Sequence, residues 1–222
     1  MSRLLAATLI AALSSTAFAE RAFAPPTGGF AVPPPEVAPS NDEPRVLDRA
    51  TVRAALVRAR RSNLAAFRAY QRAGVFPSNT YQPGKLNVWR DEGGHFCAAA
   101  TIIRMSGQTE LVERVAEQNN FIRLADVRQG PLMDWILTSG FTQEEIAAIQ
   151  EPFMPVVRPT MPEQPDHRVA IDARLRKAED ARLLARYRQV DAMLARNQRA
   201  SLELAVDRLM KHQQLAWTLI DG

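Results

Sequence analysis

Phe141-Thr142-Gln143-Glu144-Glu145-Ile146 is the stretch from which the fold of this 222-residue chain is best read. Thr142 followed three residues later by Glu145 has the form of a capping box. In that motif the threonine hydroxyl takes the glutamate's backbone N–H, and the carboxylate takes the threonine's. Phe141 and Ile146 stand at the staple positions that pack across the same helix start. Just upstream, Gly130-Pro131 opens a helical segment and Gly140 ends it, because proline suits a first turn and glycine a left-handed cap. Leu132–Gln150 is therefore predicted to be a helical hairpin.

Working outward, the whole of Lys85–Glu151 reads as a compact middle block. Leu86–Trp89 and His95–Cys97 flank the turn Asp91-Glu92-Gly93-Gly94, which predicts a β-hairpin near 86–97. A lone hairpin is marginal in water, so Trp89 and Phe96 are expected to lie against helices. Ala98–Met105 is expected to be helical and to stop at Gly107. Thr109–Gln118 is expected as a helix with Leu111, Val112 and Val115 inward. Phe121–Val127 alternates in polarity and reads as a strand.

Two long Arg/Ala-rich segments flank this block. The first should begin near Asp42–Pro44 and end at Ala73, with Gly74 as its cap. Val52, Leu56, Ala59, Asn63, Ala66 and Tyr70 step by three or four along it, which makes one buried stripe that Phe67 widens. The last segment, Arg168–Thr218, contains neither Gly nor Pro. As one helix it would be about 75 Å long. Its seam runs Leu184, Tyr187, Asp191, Leu194, Gln198, Leu202, Ala205, Leu209, His212, Ala216, Leu219. Antiparallel packing on the first helix is the preferred expectation, and self-association as a coiled coil the alternative. The fold class is mainly α: two long Arg/Ala-rich helices around a compact α-helical middle block with a small β-hairpin.

The ends and joints complete the plan. Arg3, the apolar run Leu4–Leu13 and Ala17-Phe18-Ala19 form a signal peptide over 1–19, with the cut before Glu20. The run is too short to span a bilayer. Residues 20–43 are proline-rich and short of large apolar side chains, which predicts a disordered spacer. A helical core is placed at 44–151, a second proline-rich strap at 152–165, and the long C-terminal helix at 166–219. The chain is thus expected to be exported, to the periplasm or beyond. Cys97 is its only cysteine, so no internal disulfide can form, and burial as a small hydrophobe is expected.

Charge is unevenly placed within a net of +4. Arg45–Ala73 holds eight Arg against Asp48 alone, a balance of +7. Arg168–Thr218 holds eleven Lys/Arg against six Asp/Glu, or +5, whereas Gly74–His167 has seven against twelve, or −5. Two readings follow: complementary surfaces packed on each other, or an anionic envelope partner such as lipid headgroups or lipopolysaccharide. Arg60, Arg61, Arg68 and Arg72 are the candidate contact residues, since guanidinium groups fork onto phosphate oxygens. Nucleic acid is not an expected partner of an exported chain.

Signals for chemistry are sparse. His95 and Cys97, two apart on the expected strand, would face one side, but zinc wants three or four such ligands and a cysteine nucleophile wants an orienting third group. Asp126, Asp134, Glu144 and Glu145 could supply paired carboxylates. Phosphate-cradling glycine loops, HExxH and Gly-x-Ser-x-Gly are absent. No cofactor or metal is predicted. Phe141-Thr142-Gln143-Glu144-Glu145 is similar to the LTxxQ signature of small helical periplasmic stress chaperones and metal-resistance proteins. Phe stands for Leu and Glu145 for Gln, in a single copy, and that family's Met/His richness is missing. The expected function is a non-catalytic helical envelope protein with a binding, scaffold or chaperone-like role. The alternative is an envelope hydrolase using carboxylates or Cys97 of the middle block.

Overall fold

The computed structural model describes residues 45–156 and 171–222. The expected signal peptide, the spacer over 20–43 and most of the strap after residue 156 lie outside the described residues. Among the described residues the fold is mainly α, with seven helices, one 3-10 turn and no strand.

Helix α1, Arg49–Ala73, starts later than the expected Asp42–Pro44, where the Asp48 carboxylate accepts the Thr51 N–H at 2.8 Å. It ends where Gly74, at φ 63°, returns its N–H to the Tyr70 carbonyl. Its buried face is Val52, Ala55, Leu56, Arg60, Asn63, Ala66, Phe67 and Tyr70. The predicted stripe is therefore present, with the charged Arg60 lying where Ala59 was expected.

Helix α2, Ala98–Met105, is largely interior: Ala98, Ala99, Ala100, Ile102 and Ile103 are all fully buried, and only its last turn, Arg104 and Met105, is exposed. Helix α3, Thr109–Gln118, turns Leu111, Val112 and Val115 inward. Helices α4, Pro131–Thr138, and α5, Gln143–Ile149, form the helical hairpin. Both halves of the capping box are made: Glu145 N–H to Thr142 Oγ1 at 3.2 Å, and Thr142 N–H to Glu145 Oε2 at 3.0 Å. Phe141 and Ile146 are both buried in the core.

The hairpin expected near 86–97 is not built as strands. Asp91 N–H reaches the His95 carbonyl at 3.0 Å and Cys97 N–H the Trp89 carbonyl at 2.9 Å, but together these make a single antiparallel bridge, between Arg90 and Phe96, and no strand. The flanking backbone is used elsewhere: Leu86 exchanges both bonds with Phe153, and Trp89 N–H donates to the Asn120 carbonyl. Trp89 itself is fully buried, its ring N–H bonded to the Val112 carbonyl of α3 at 3.0 Å. The strand expected at Phe121–Val127 is likewise absent and holds the 3-10 turn Leu124–Asp126 instead. Side-chain amides of α5 satisfy this segment: Gln150 bonds Leu124 N–H and Ile122 O, and Gln143 bonds Leu124 O and Val127 O. With its polar groups taken up this way, the alternating pattern needs no neighbouring strand.

The C-terminal segment is two helices, not one. Helix α6, Ala173–Leu209, is capped by Asp172 and spans about 55 Å. The chain then leaves helical geometry at His212 and resumes as α7, Gln213–Asp221. Neither glycine nor proline marks this break; α7 turns aside and buries Ala216 completely. Arg45 lies 4.2 Å over the Trp217 ring and ion-pairs with Asp221, which ties α7 to the approach to α1.

Helices α1 and α6 pack antiparallel. Arg49 and Arg53 near the start of α1 meet Glu203 late in α6, whereas Arg68 meets Asp191 and Tyr70 stacks edge-on against Tyr187. Of the expected seam, Tyr187, Leu194, Leu202, Ala205 and Leu209 are buried within the chain itself, Leu183 is buried in place of Leu184, and Gln198 and His212 are exposed. A coiled coil between copies would have to use another face of α6.

Candidate functional site

The four arginines singled out as partner contacts do not share one environment. Arg60 is 3% exposed. Its two terminal nitrogens reach Glu145 Oε2 at 2.8 Å and Oε1 at 2.9 Å in a bidentate pair. They also donate to the Gly140 carbonyl at 3.0 Å and the Leu194 carbonyl at 2.9 Å, and the guanidinium lies 4.7 Å over the Phe141 ring. Ser201 Oγ donates to Glu145 Oε1 at 2.8 Å. This one buried pair thus joins α1, α5 and α6, and Arg60 is withdrawn from the set of contact residues. A charge inside a core is tolerable only when paired and hydrogen-bonded, and both terminal nitrogens meet that condition, while the buried Nε has no partner.

The remaining three are exposed. Arg68 shares its Nε with both oxygens of Asp191, at 3.0 and 3.1 Å. Arg61 and Arg72 have no acidic partner among the described residues. Arg58, not singled out in the sequence, is also exposed and unpaired. Steps of three or four lead from Arg58 to Arg61, Ala65, Arg68 and Arg72, so they form one stripe. The same period that located the buried face of α1 could have found it.

Much of the basic charge elsewhere is consumed inside the fold. Arg176 staples the first turns of α6 to the Phe76 and Pro77 carbonyls and the Ser78 hydroxyl. Arg182 binds Glu179 and Glu151, and Arg186 binds Glu151. Complementary packing therefore accounts for part of the charge asymmetry; the α1 stripe is part of what it leaves over, beside Arg188, Arg196 and Arg199 of α6, which are also exposed without an acidic partner among the described residues.

The candidate catalytic groups are dispersed. His95 and Cys97 do not face the same side. His95 is about half exposed, and its Nδ1 lies 3.1 Å from Asp91 Oδ2. Asp91 also accepts the backbone N–H groups of His95 and Ser78, so its carboxylate organises the loop as much as it orients the ring. Cys97 is fully buried at the N-terminus of α2, where its sulfur accepts the Ala100 N–H at 3.4 Å. Burial pushes its thiol up to about 12, which leaves essentially no thiolate at neutral pH. Asp126 is exposed beside Arg123, and Asp134 is exposed on α4 near α7. Glu145 is committed to Arg60, Thr142 and Ser201. No group of three or more His, Cys, Asp or Glu among the described residues could hold a metal ion. No helix among them is long and apolar enough to cross a membrane.

No protein family, curated protein or solved structure matches this chain. The letters that resemble the LTxxQ signature have a complete local explanation here: Thr142 and Glu145 cap α5, and Phe141 carries the Arg60 guanidinium.

Proposed function

We propose that this is an exported, non-catalytic helical protein of the cell envelope that binds or scaffolds, its basic α1 stripe resting on an anionic component such as lipid headgroups or lipopolysaccharide. The observation that carries the reading is the stripe itself: Arg58, Arg61 and Arg72 exposed and unpaired, with Arg68 held only by an exposed ion pair. Such surface pairs contribute about 0–1 kcal/mol, so a phosphate can compete with Asp191 for Arg68. The helix beneath is packed along its opposite face against α2 and α6. Its guanidinium groups therefore reach a charged surface with little ordering left to do, and each can fork onto phosphate oxygens.

Binding to vesicles containing anionic lipid is expected at low salt, weakening as screening shortens to about 8 Å at physiological ionic strength. The triple replacement Arg61→Gln, Arg68→Gln and Arg72→Gln should remove most of it while leaving the helical circular-dichroism signal intact. Equal binding by triple variant and parent, or none by the parent at low salt, would reduce the charge pattern to internal complementarity.

A further inference from the structure

A second surface, away from α1, has a different character. An open groove of about 700 Å³ lies between α3, the 3-10 turn and the start of α4. Leu111, Val115, Phe121, Ile122 and Leu132 give it an apolar lining. Phe121 is 43% exposed, its ring held edge-on against Tyr81 at 5.0 Å, so a large apolar surface is kept open to solvent. Arg114, Arg123 and Arg128 also line the groove, against the single carboxylate of Asp126.

We propose that this groove binds a single-chain anionic amphiphile, a fatty-acid carboxylate, with its alkyl chain along the apolar lining and its head group between Arg114 and Arg128. The volume falls within the range of about 300–1,000 Å³ typical of small-ligand sites. The charge says which amphiphile fits. Arg114 has no acidic partner among the described residues. Arg128 is positioned through Nη1 alone, on the Ala125 carbonyl at 2.8 Å and the Val127 carbonyl at 3.3 Å, which leaves its other two nitrogens free to donate. Arg123 meets Asp126 at 3.4 Å with both groups exposed, so this pair neutralises one arginine and leaves two. A cationic head is repelled by that excess. A neutral head leaves both guanidinium groups unmatched, and a bare small anion makes no use of the apolar lining. The proposal is independent of the α1 stripe, because none of the lining residues belongs to α1.

Titration calorimetry with laurate, kept below its micelle concentration, tests it on the full chain. Laurate should bind with one-to-one stoichiometry, and dodecanol and dodecyltrimethylammonium should bind at least about tenfold more weakly, because charge-assisted hydrogen bonds to the head are lost. Arg114→Gln with Arg128→Gln should weaken laurate about tenfold or more at a thermal midpoint close to the parent's. Both side chains are exposed at the groove, and what Arg128→Gln gives up in the fold is two solvent-exposed bonds to the Ala125 and Val127 carbonyls, a small loss of stability. The α1 triple variant should bind laurate like the parent. No laurate binding, equal binding of the neutral and anionic chains, or insensitivity to the paired arginine variant would overturn the proposal. Loss of laurate binding in the α1 variant instead would place the site on α1 and overturn it as well.

Discussion

Arg60 and Glu145 are the residues whose replacement should be felt most. Together they bring a bidentate ion pair, two backbone carbonyls, a helix cap and a serine hydroxyl into one dry contact. Arg60→Met is expected to cost about 3–5 kcal/mol, because it strands a buried carboxylate. Adding Glu145→Gln should restore part of that loss. Glutamine is the other residue a capping box accepts, and it can keep the Thr142 and Ser201 bonds without a charge. Urea denaturation of the two single variants and the double checks this. Additive losses would mean that the pair is not a coupled unit.

At the scale of elements, the corner between α4 and α5 lies directly against the backbone of α1. Gly140 has φ of 78°, and a Cβ there would lie 2.4 Å from the Leu56 carbonyl oxygen and 2.8 Å from the Arg60 nitrogen. Both obstacles are α1 backbone and cannot rotate away. Gly140→Ala combines this overlap with a conformation disfavoured for L side chains. It is expected to destabilise by about 3 kcal/mol or more, and to push α5 off α1. Gly74→Ala serves as the control: it too has a positive φ, 63°, in the left-handed region, but nothing within 4 Å of the added carbon. If thermal melts show equal losses for the two variants, the close approach is not what makes Gly140 necessary. The glycine was legible as a helix stop, but its contact with α1 was not, since Leu56 and Arg60 lie some 80 positions earlier.

For the molecule as a whole, the buried titratable groups set a pH limit. Cys97 has its thiol raised to about 12, and burial also raises the phenols of Tyr70 and Tyr187 above their ordinary value. The two tyrosine rings lie 5.7 Å apart without a well-directed hydrogen bond between their hydroxyls. In the unfolded chain the thiol ionises near about 8.5 and the phenols near about 10. Folded values above unfolded ones mean that this stability is complete below about pH 8.5 and is lost as the pH rises toward the folded values. Cys97 alone should cost about 2 kcal/mol by pH 10, with the tyrosines adding to the loss above that. The thermal midpoint is therefore expected to fall from pH 8.5 upward, and Cys97→Ala should flatten the early part of the fall. A parent midpoint constant to pH 10.5 would show that these groups are reached by water in the folded state.

What the sequence determined by itself was most of the helices, because their signals are local. Gly74, Pro131, Gly140 and the Thr142–Glu145 box act within a few residues of the ends they mark, and the stripe of α1 is a property of one helix, although its start was expected near Asp42–Pro44 and lies at Asp48. Only the tertiary structure decided the rest. The segments around Trp89 and Phe121 look extended, but their backbone groups are claimed by Asn120, Phe153, Gln143 and Gln150 from other parts of the chain. The break at His212 carries no glycine or proline, and what accompanies it is burial of Ala216 and the contact of Trp217 with Arg45. Arg60 stands four residues after Leu56 and three before Asn63, so helical phase puts it on the buried face of α1 and Arg61 off that face. What the sequence does not show is the carboxylate 85 positions away that makes a buried guanidinium tolerable, and only the tertiary structure supplies it.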